Sequence, residues 1–149
     1  MLLDSVQAGQ AGGVLSPASL AALDAALEQA GERHVLVCLH HHPVPMGSRW
    51  LDRVALANPE ALFAVIDKHP RVRGLLWGHV HQSFDALRNG VRLLATPSTC
   101  AQFRPRTEQF EVDPLPAAYR TLELRADGSI ATELVWVEDS ARRGSIGAA

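Results

Sequence analysis

Val35-Leu36-Val37-Cys38-Leu39 runs straight into His40-His41-His42-Pro43, and Val72-Arg73-Gly74-Leu75-Leu76-Trp77 runs into Gly78-His79-Val80-His81. The fold turns on these two stretches. A short, continuous apolar run rich in β-branched residues suits a strand buried on both faces of a layered α/β structure. Between the two runs, Asn58-Pro59-Glu60 opens a helix that reaches about Lys68, with Leu62, Phe63 and Ile66 on its inner face. His69-Pro70 ends it, because the residue before proline is pushed out of the helical region. Strand, helix and strand in succession place the chain in the α/β class.

Working toward the N-terminus, residues 43–58 read as a loop with at most a short helix. Ser16-Pro17 reads as an N-cap with proline at the first helical position. Leu20, Leu23, Ala26, Leu27 and Ala30 then recur at helical spacing, and Gly31 is the stop. Residues 6–15, with Gly9, Gly12 and Gly13, read as a loop, and residues 1–5 as a short apolar strand.

Toward the C-terminus, strands near 83–87 and 91–96 flank Asn89-Gly90, the dipeptide favoured in a two-residue hairpin turn. Residues 97–117 hold Pro97, Pro105, Pro114 and Pro116 and read as irregular. A second hairpin is expected from strands at 119–124 and 130–137, turning at Asp127-Gly128. The expected organisation is one folded unit over 1–138 and a flexible tail over 139–149.

Composition narrows the class. The 149 residues are 47% hydrophobic and 20% charged, the balance of a globular protein rather than a disordered or fibrous one. Lys plus Arg total 14 against 16 Asp plus Glu, so no basic excess exists to hold a nucleic-acid backbone. No apolar run reaches the ~18–20 residues of a membrane helix. The start, Met1-Leu2-Leu3-Asp4, has no secretory pattern. Cys38 and Cys100 are too few for a disulfide framework, which makes a reducing cytoplasm the expected compartment.

Five of the 7 histidines fall in the two clusters that follow the apolar runs. Active sites of α/β sheets gather at these strand ends. In an extended segment His79 and His81 would point to one side, with backbones roughly 7 Å apart, near enough for one metal ion or two adjacent ones. Three adjacent histidines would not all face one ion, so one or two of His40, His41 and His42 are expected to ligate, with another holding the site from behind. Imidazole suits zinc, iron, manganese or nickel. A two-metal site also needs a bridging carboxylate, and Asp4, Asp52 and Asp85 each lack a metal-binding pattern around them; Asp52 reads as a turn or cap residue. His34 and His69 read as solvated, Cys38 as a core residue, and Trp50 and Trp77 as core or pocket wall. Cys100 has no evident base to make it a nucleophile, and Arg104-Pro105-Arg106 reads as a solvated loop.

Leu39-His40-His41-His42-Pro43-Val44-Pro45 and Gly78-His79-Val80-His81-Gln82 resemble the last two metal motifs of the calcineurin-like metallophosphoesterases. Trp50-Leu51-Asp52, the stretch from Asn89 through Thr96-Pro97-Ser98-Thr99-Cys100, and Gln102-Phe103 resemble the bacterial class III 3′,5′-cyclic-AMP phosphodiesterases. The resemblance runs from about Leu2 to Val137. It implies the C-terminal half of a four-layer αββα sandwich and a centre of two divalent metals (iron, manganese or zinc). It also implies hydrolysis of cyclic AMP to 5′-AMP. His40 and His79 would be ligands of one metal and His81 of the other; His41 takes the place of His40 if the register slips by one. No role carries over to His42. The family's Asp-x-His, Gly-Asp and Gly-Asn-His-Asp motifs do not occur, and with them go the bridging aspartate and the leaving-group histidine. The chain alone is therefore expected to be inactive. Other phosphoesters as substrate, or a non-catalytic truncated chain, are the alternatives. A half-sandwich should also expose an apolar sheet face open to association.

Overall fold

The computed structural model describes residues 1–137; residue 138 and the expected tail over 139–149 lie outside the described residues. The first helix, α1 (Pro17–Ala30), begins as its sequence dictates, with the Ser19 N–H donating to Ser16 Oγ at 3.0 Å. The strand β1 (Val35–Leu39), the short helix α2 (Arg49–Asp52), the helix α3 (Pro59–Ile66) and the strand β2 (Val72–Trp77) follow in order. The hairpin strands β3 (Phe84–Arg88) and β4 (Val91–Ala95) come next. Their turn has Asn89 at φ 50° and Gly90 at φ 82°, the two left-handed residues that this tight hairpin requires.

The four strands form one sheet in the order β1-β2-β4-β3. β1, β2 and β4 run parallel and β3 is the antiparallel edge. Val37, Leu39, Leu75, Trp77, Leu93 and Ala95 share one face of this sheet and are buried with Leu23 and Leu27 of α1 and Leu62 and Ile66 of α3. Burial of such side chains stabilises by roughly 1.5–3 kcal/mol each, which makes this layer the core.

The opposite face is only partly covered. Two short strands, β5 (Gln102–Phe103) and β6 (Val112–Asp113), pair inside the proline-rich stretch that reads as irregular from sequence. The last hairpin, β7 (Ala118–Leu124) with β8 (Ile130–Trp136), lies over the sheet through Ile130, which packs against Gly74 and Leu36. Arg120 pins this hairpin by donating to the carbonyls of Ala95 and Phe84. Leu36, Cys38 and Leu76, also on this face, stay half-buried.

Two further expectations change. The strand over residues 1–5 reduces to a single bridge, Leu2 beside Cys38, with the Leu3 N–H donating to the Cys38 carbonyl at 2.8 Å. The loop over 6–15 is not free. Gly13 bridges to Val6 and to Leu56, and the Ala57 N–H donates to its carbonyl at 2.7 Å. Such pairing between distant segments leaves no local pattern in the chain. No helix among the described residues is long and apolar enough to cross a membrane.

Candidate metal centre

The parallel register fixes the site. Leu39 pairs with Trp77, so β1 and β2 end side by side and release His40 and Gly78-His79 at the same edge of the sheet. The chain bends at once after Leu39. The alternation of an extended strand therefore stops there, and consecutive histidines are free to turn inward together.

All three do so. The ring of His79 has the ring centroids of His40 at 4.9 Å, His41 at 4.8 Å and His42 at 5.6 Å. One nitrogen from each of His40, His41 and His79 lies within 4.8 Å of the others. His79 Nδ1 and His40 Nε2 are 3.2 Å apart. Two ligands at about 2.0–2.1 Å from a tetrahedral ion stand about 3.3 Å from each other, so the separation fits a shared cation. His79 Nε2 and His42 Nδ1 are buried and have no hydrogen-bond partner among the described residues. The group contains no carboxylate.

His79 and His81 are not extended. His79 has φ 66° and His81 φ 50°, left-handed values that non-glycine residues seldom adopt. The Val80 N–H donates to the Gly78 carbonyl at 2.7 Å, which closes a three-residue turn centred on His79. Val80 is fully buried and anchors this turn. The strained backbone therefore aims the His79 ring at the first cluster. It sends His81 elsewhere. The His81 ring stacks on Phe103 with centroids 4.0 Å apart, and its Nδ1–H donates to the Ala101 carbonyl at 2.8 Å. That bond leaves Nε2 as the nitrogen with a free lone pair, the tautomer a metal ligand needs.

Packing behind the cluster holds it. His41 is buried, and Ser5 Oγ contacts its Nδ1 at 2.8 Å. His42 is fully buried, and its Nε2–H donates to Asp52 Oδ1 at 3.3 Å. Asp52 also accepts from the Met46 N–H at 2.8 Å and the Gly47 N–H at 3.0 Å. It is the turn-capping residue the sequence suggests, with His42 as a further partner that no local signal announces. Burial, then the imidazoles of His41, His40 and His42, pull His79 down to about 4. Burial, with His40 beside it, lowers His41 as well. Burial lowers His42 despite its bond to Asp52. Neutral imidazoles at neutral pH are the form that binds a cation.

The remaining candidates separate cleanly. His69 is not simply solvated: its Nε2 lies 2.6 Å from Asp24 Oδ1 and ties the end of α3 to α1. His34 is half-buried against Gly128. Trp77 is core, whereas Trp50 packs edge-on to Phe103 and Phe110. Cys38 and Cys100 are free thiols. Asp4 caps its own turn through the Val6 N–H, and Asp85 pairs with Arg92. Arg104 pairs with Glu111.

No protein-family model matches the chain. The 3′,5′-cyclic adenosine monophosphate phosphodiesterase of Pseudomonas aeruginosa is 48% identical over 139 residues, which is 93% of this chain and 51% of that protein. The enzyme of the same name from Escherichia coli K12 is 48% identical over 140 residues, 94% of this chain and 51% of its own. The chain thus spans about half the length of the curated relatives it matches. Among solved structures, a dimetal phosphatase from Danio rerio aligns with a TM-score of 0.54 at 22% identity, over 74% of this chain and 35% of its own, a likeness of fold.

Proposed function

We propose, with the homology of this chain to the bacterial 3′,5′-cyclic-AMP phosphodiesterases over about half their length as the premise, that it carries part of the metal centre of such an enzyme. Residues 1–138 correspond in this reading to the C-terminal half of a four-layer αββα sandwich. The remaining half covers the sheet face where Leu36, Cys38 and Leu76 are half-buried.

The observation that carries the proposal is the convergence of His40 and His41 on His79 at the shared end of two parallel strands. These three imidazoles fit one divalent cation, with Ser5 orienting His41 and His42 backing His79. His81, with Nε2 left free, is the ligand for a second ion whose carboxylate partners come from outside the cluster. When bound, iron, manganese or zinc ions would activate water and offset charge on the phosphoryl oxygens. The protein's part is to hold neutral, lone-pair-bearing nitrogens in place before substrate arrives, so that little reorganises during reaction. The substrate is cyclic AMP and the product 5′-AMP, formed by opening the 3′ P–O bond.

Metal stoichiometry tests this. After loading with Mn²⁺ and desalting, the chain should retain about one ion, lost in His79→Ala, and should form no 5′-AMP from cyclic AMP by itself. A chain that holds no Mn²⁺, or a His79→Ala variant that still holds it, overturns the metal-centre reading. Two tightly held ions overturn the partial-centre reading.

A further inference from the structure

Beside the histidine cluster lies a cleft of about 250 Å³ that extends away from the His40–His41–His79 trio. It reaches the site through His81, which lines it, and through Met46, whose backbone is held by the same Asp52 that holds His42. Its walls combine flat apolar surface, from Phe103 and Trp136, with separate polar groups. Gln82 is 6% exposed, and its Nε2 has no hydrogen-bond partner among the described residues. Asp113 presents a carboxylate, one oxygen of which takes the Leu115 N–H at 3.1 Å. Arg106 stands at φ 59° and pairs with no carboxylate among the described residues. A strained backbone under an unpaired cation, a buried amide lacking a partner and aromatic walls make a cleft suited to a small planar ligand with donors, acceptors and negative charge.

We infer that this cleft receives the nucleoside part of a nucleotide whose phosphate lies at the histidine cluster. The inference rests on the phosphodiesterase reading above and adds the place of the base. The volume suits a base with part of its ribose and excludes a folded partner. Gln82 and Asp113 supply a donor and an acceptor for a base edge, and Arg106 faces the anionic side of the ligand. Aromatic walls supply stacking, which tolerates any base and strengthens binding by about five- to a hundredfold.

The test compares AMP with ribose 5-phosphate, which lacks the base, by calorimetric titration of the Mn²⁺-loaded chain. AMP should bind at least about tenfold more tightly. Ser83 is exposed and lines the cleft, so Ser83→Trp fills it without disturbing the core. That variant should abolish the advantage of AMP over ribose 5-phosphate, with Mn²⁺ retention unchanged. Arg106→Ala should weaken AMP with the circular dichroism spectrum intact. Equal binding of the two ligands by the wild type, with Mn²⁺ retained, overturns the cleft and leaves the metal centre standing. A chain that retains no Mn²⁺ overturns the metal centre instead. The cleft is then decided by adenosine titrated into the metal-free chain: binding abolished by Ser83→Trp sustains it, and no binding overturns it.

Discussion

Gly13 leaves the room that the imidazole of His41 fills. A Cβ at residue 13 would lie 2.3 Å from His41 Nδ1 and 2.8 Å from the Ser5 carbonyl oxygen. One neighbour is backbone and the other a buried ring held by Ser5, so neither can give way cheaply. Gly13→Ala should therefore lower stability by about 1–3 kcal/mol, the ordinary range for overpacking, and should displace His41 from the cluster. Urea denaturation and Mn²⁺ retention read the two effects separately. A variant with unchanged midpoint and unchanged metal content would show that the ring does not occupy this place.

Asp52 joins three donors: the Met46 and Gly47 N–H groups and the Nε2–H of fully buried His42. Asp52→Ala removes every acceptor at once, and an unsatisfied buried donor costs about 1–3 kcal/mol. Asp52→Asn keeps one carbonyl oxygen and should lie between the wild type and the alanine variant. The ordering of the three denaturation midpoints is the measurement. Equal midpoints for Asn and Ala would show that a single oxygen at this position does not hold the turn.

Much of this was readable in the chain, and the part that was not has a physical reason. The strands at Val35–Leu39 and Val72–Trp77 announce themselves because one face is buried and the other at least half-buried, so their sequences are apolar almost throughout. The hairpin about Asn89-Gly90 is readable because the turn demands two left-handed residues. The turn that aims His79 is not, since a histidine at φ 66° leaves no glycine to mark it. The same turn defeats the expectation that His79 and His81 share a side, which assumed an extended backbone. That His41 joins His40 and His79 follows from a bend after Leu39. The fit of Gly13 to His41 depends on two segments 28 positions apart meeting in space, which no local spacing records.

Ser5 is buried, with its hydroxyl 2.8 Å from His41 Nδ1, and so fixes which His41 nitrogen is left for a ligand. Partners of this kind commonly account for 10–100-fold in metal affinity. Ser5→Ala should weaken Mn²⁺ binding by about tenfold while shifting stability by only about 1 kcal/mol, the net value of one hydrogen bond. Ser5→Thr keeps the hydroxyl and should recover part of the affinity. If Ser5→Ala binds Mn²⁺ as the wild type does, His41 is not a ligand and the trio reduces to His40 and His79.

The metal-free chain should lose stability as the pH falls from neutral. His79 titrates at about 4 when folded, against an ordinary value of 6.5, because burial and the neighbouring imidazoles oppose its charge. Between these two values the unfolded chain binds a proton that the folded chain refuses, so stability rises with pH across this window. The contribution is complete above about pH 6.5 and is lost progressively as the pH falls toward 4. His41 and His42, also lowered by burial, act in the same direction. Asp24, Asp67 and Asp85 are held below their ordinary 3.8 by their ion-pair partners, so their contributions are lost only at more acid pH. The urea midpoint should therefore be lower at pH 5 than at pH 7.5, and His79→Gln should flatten the difference. Equal midpoints at the two pH values would overturn this account, and a His79→Gln variant that keeps the full slope would place the proton-refusing group elsewhere than His79.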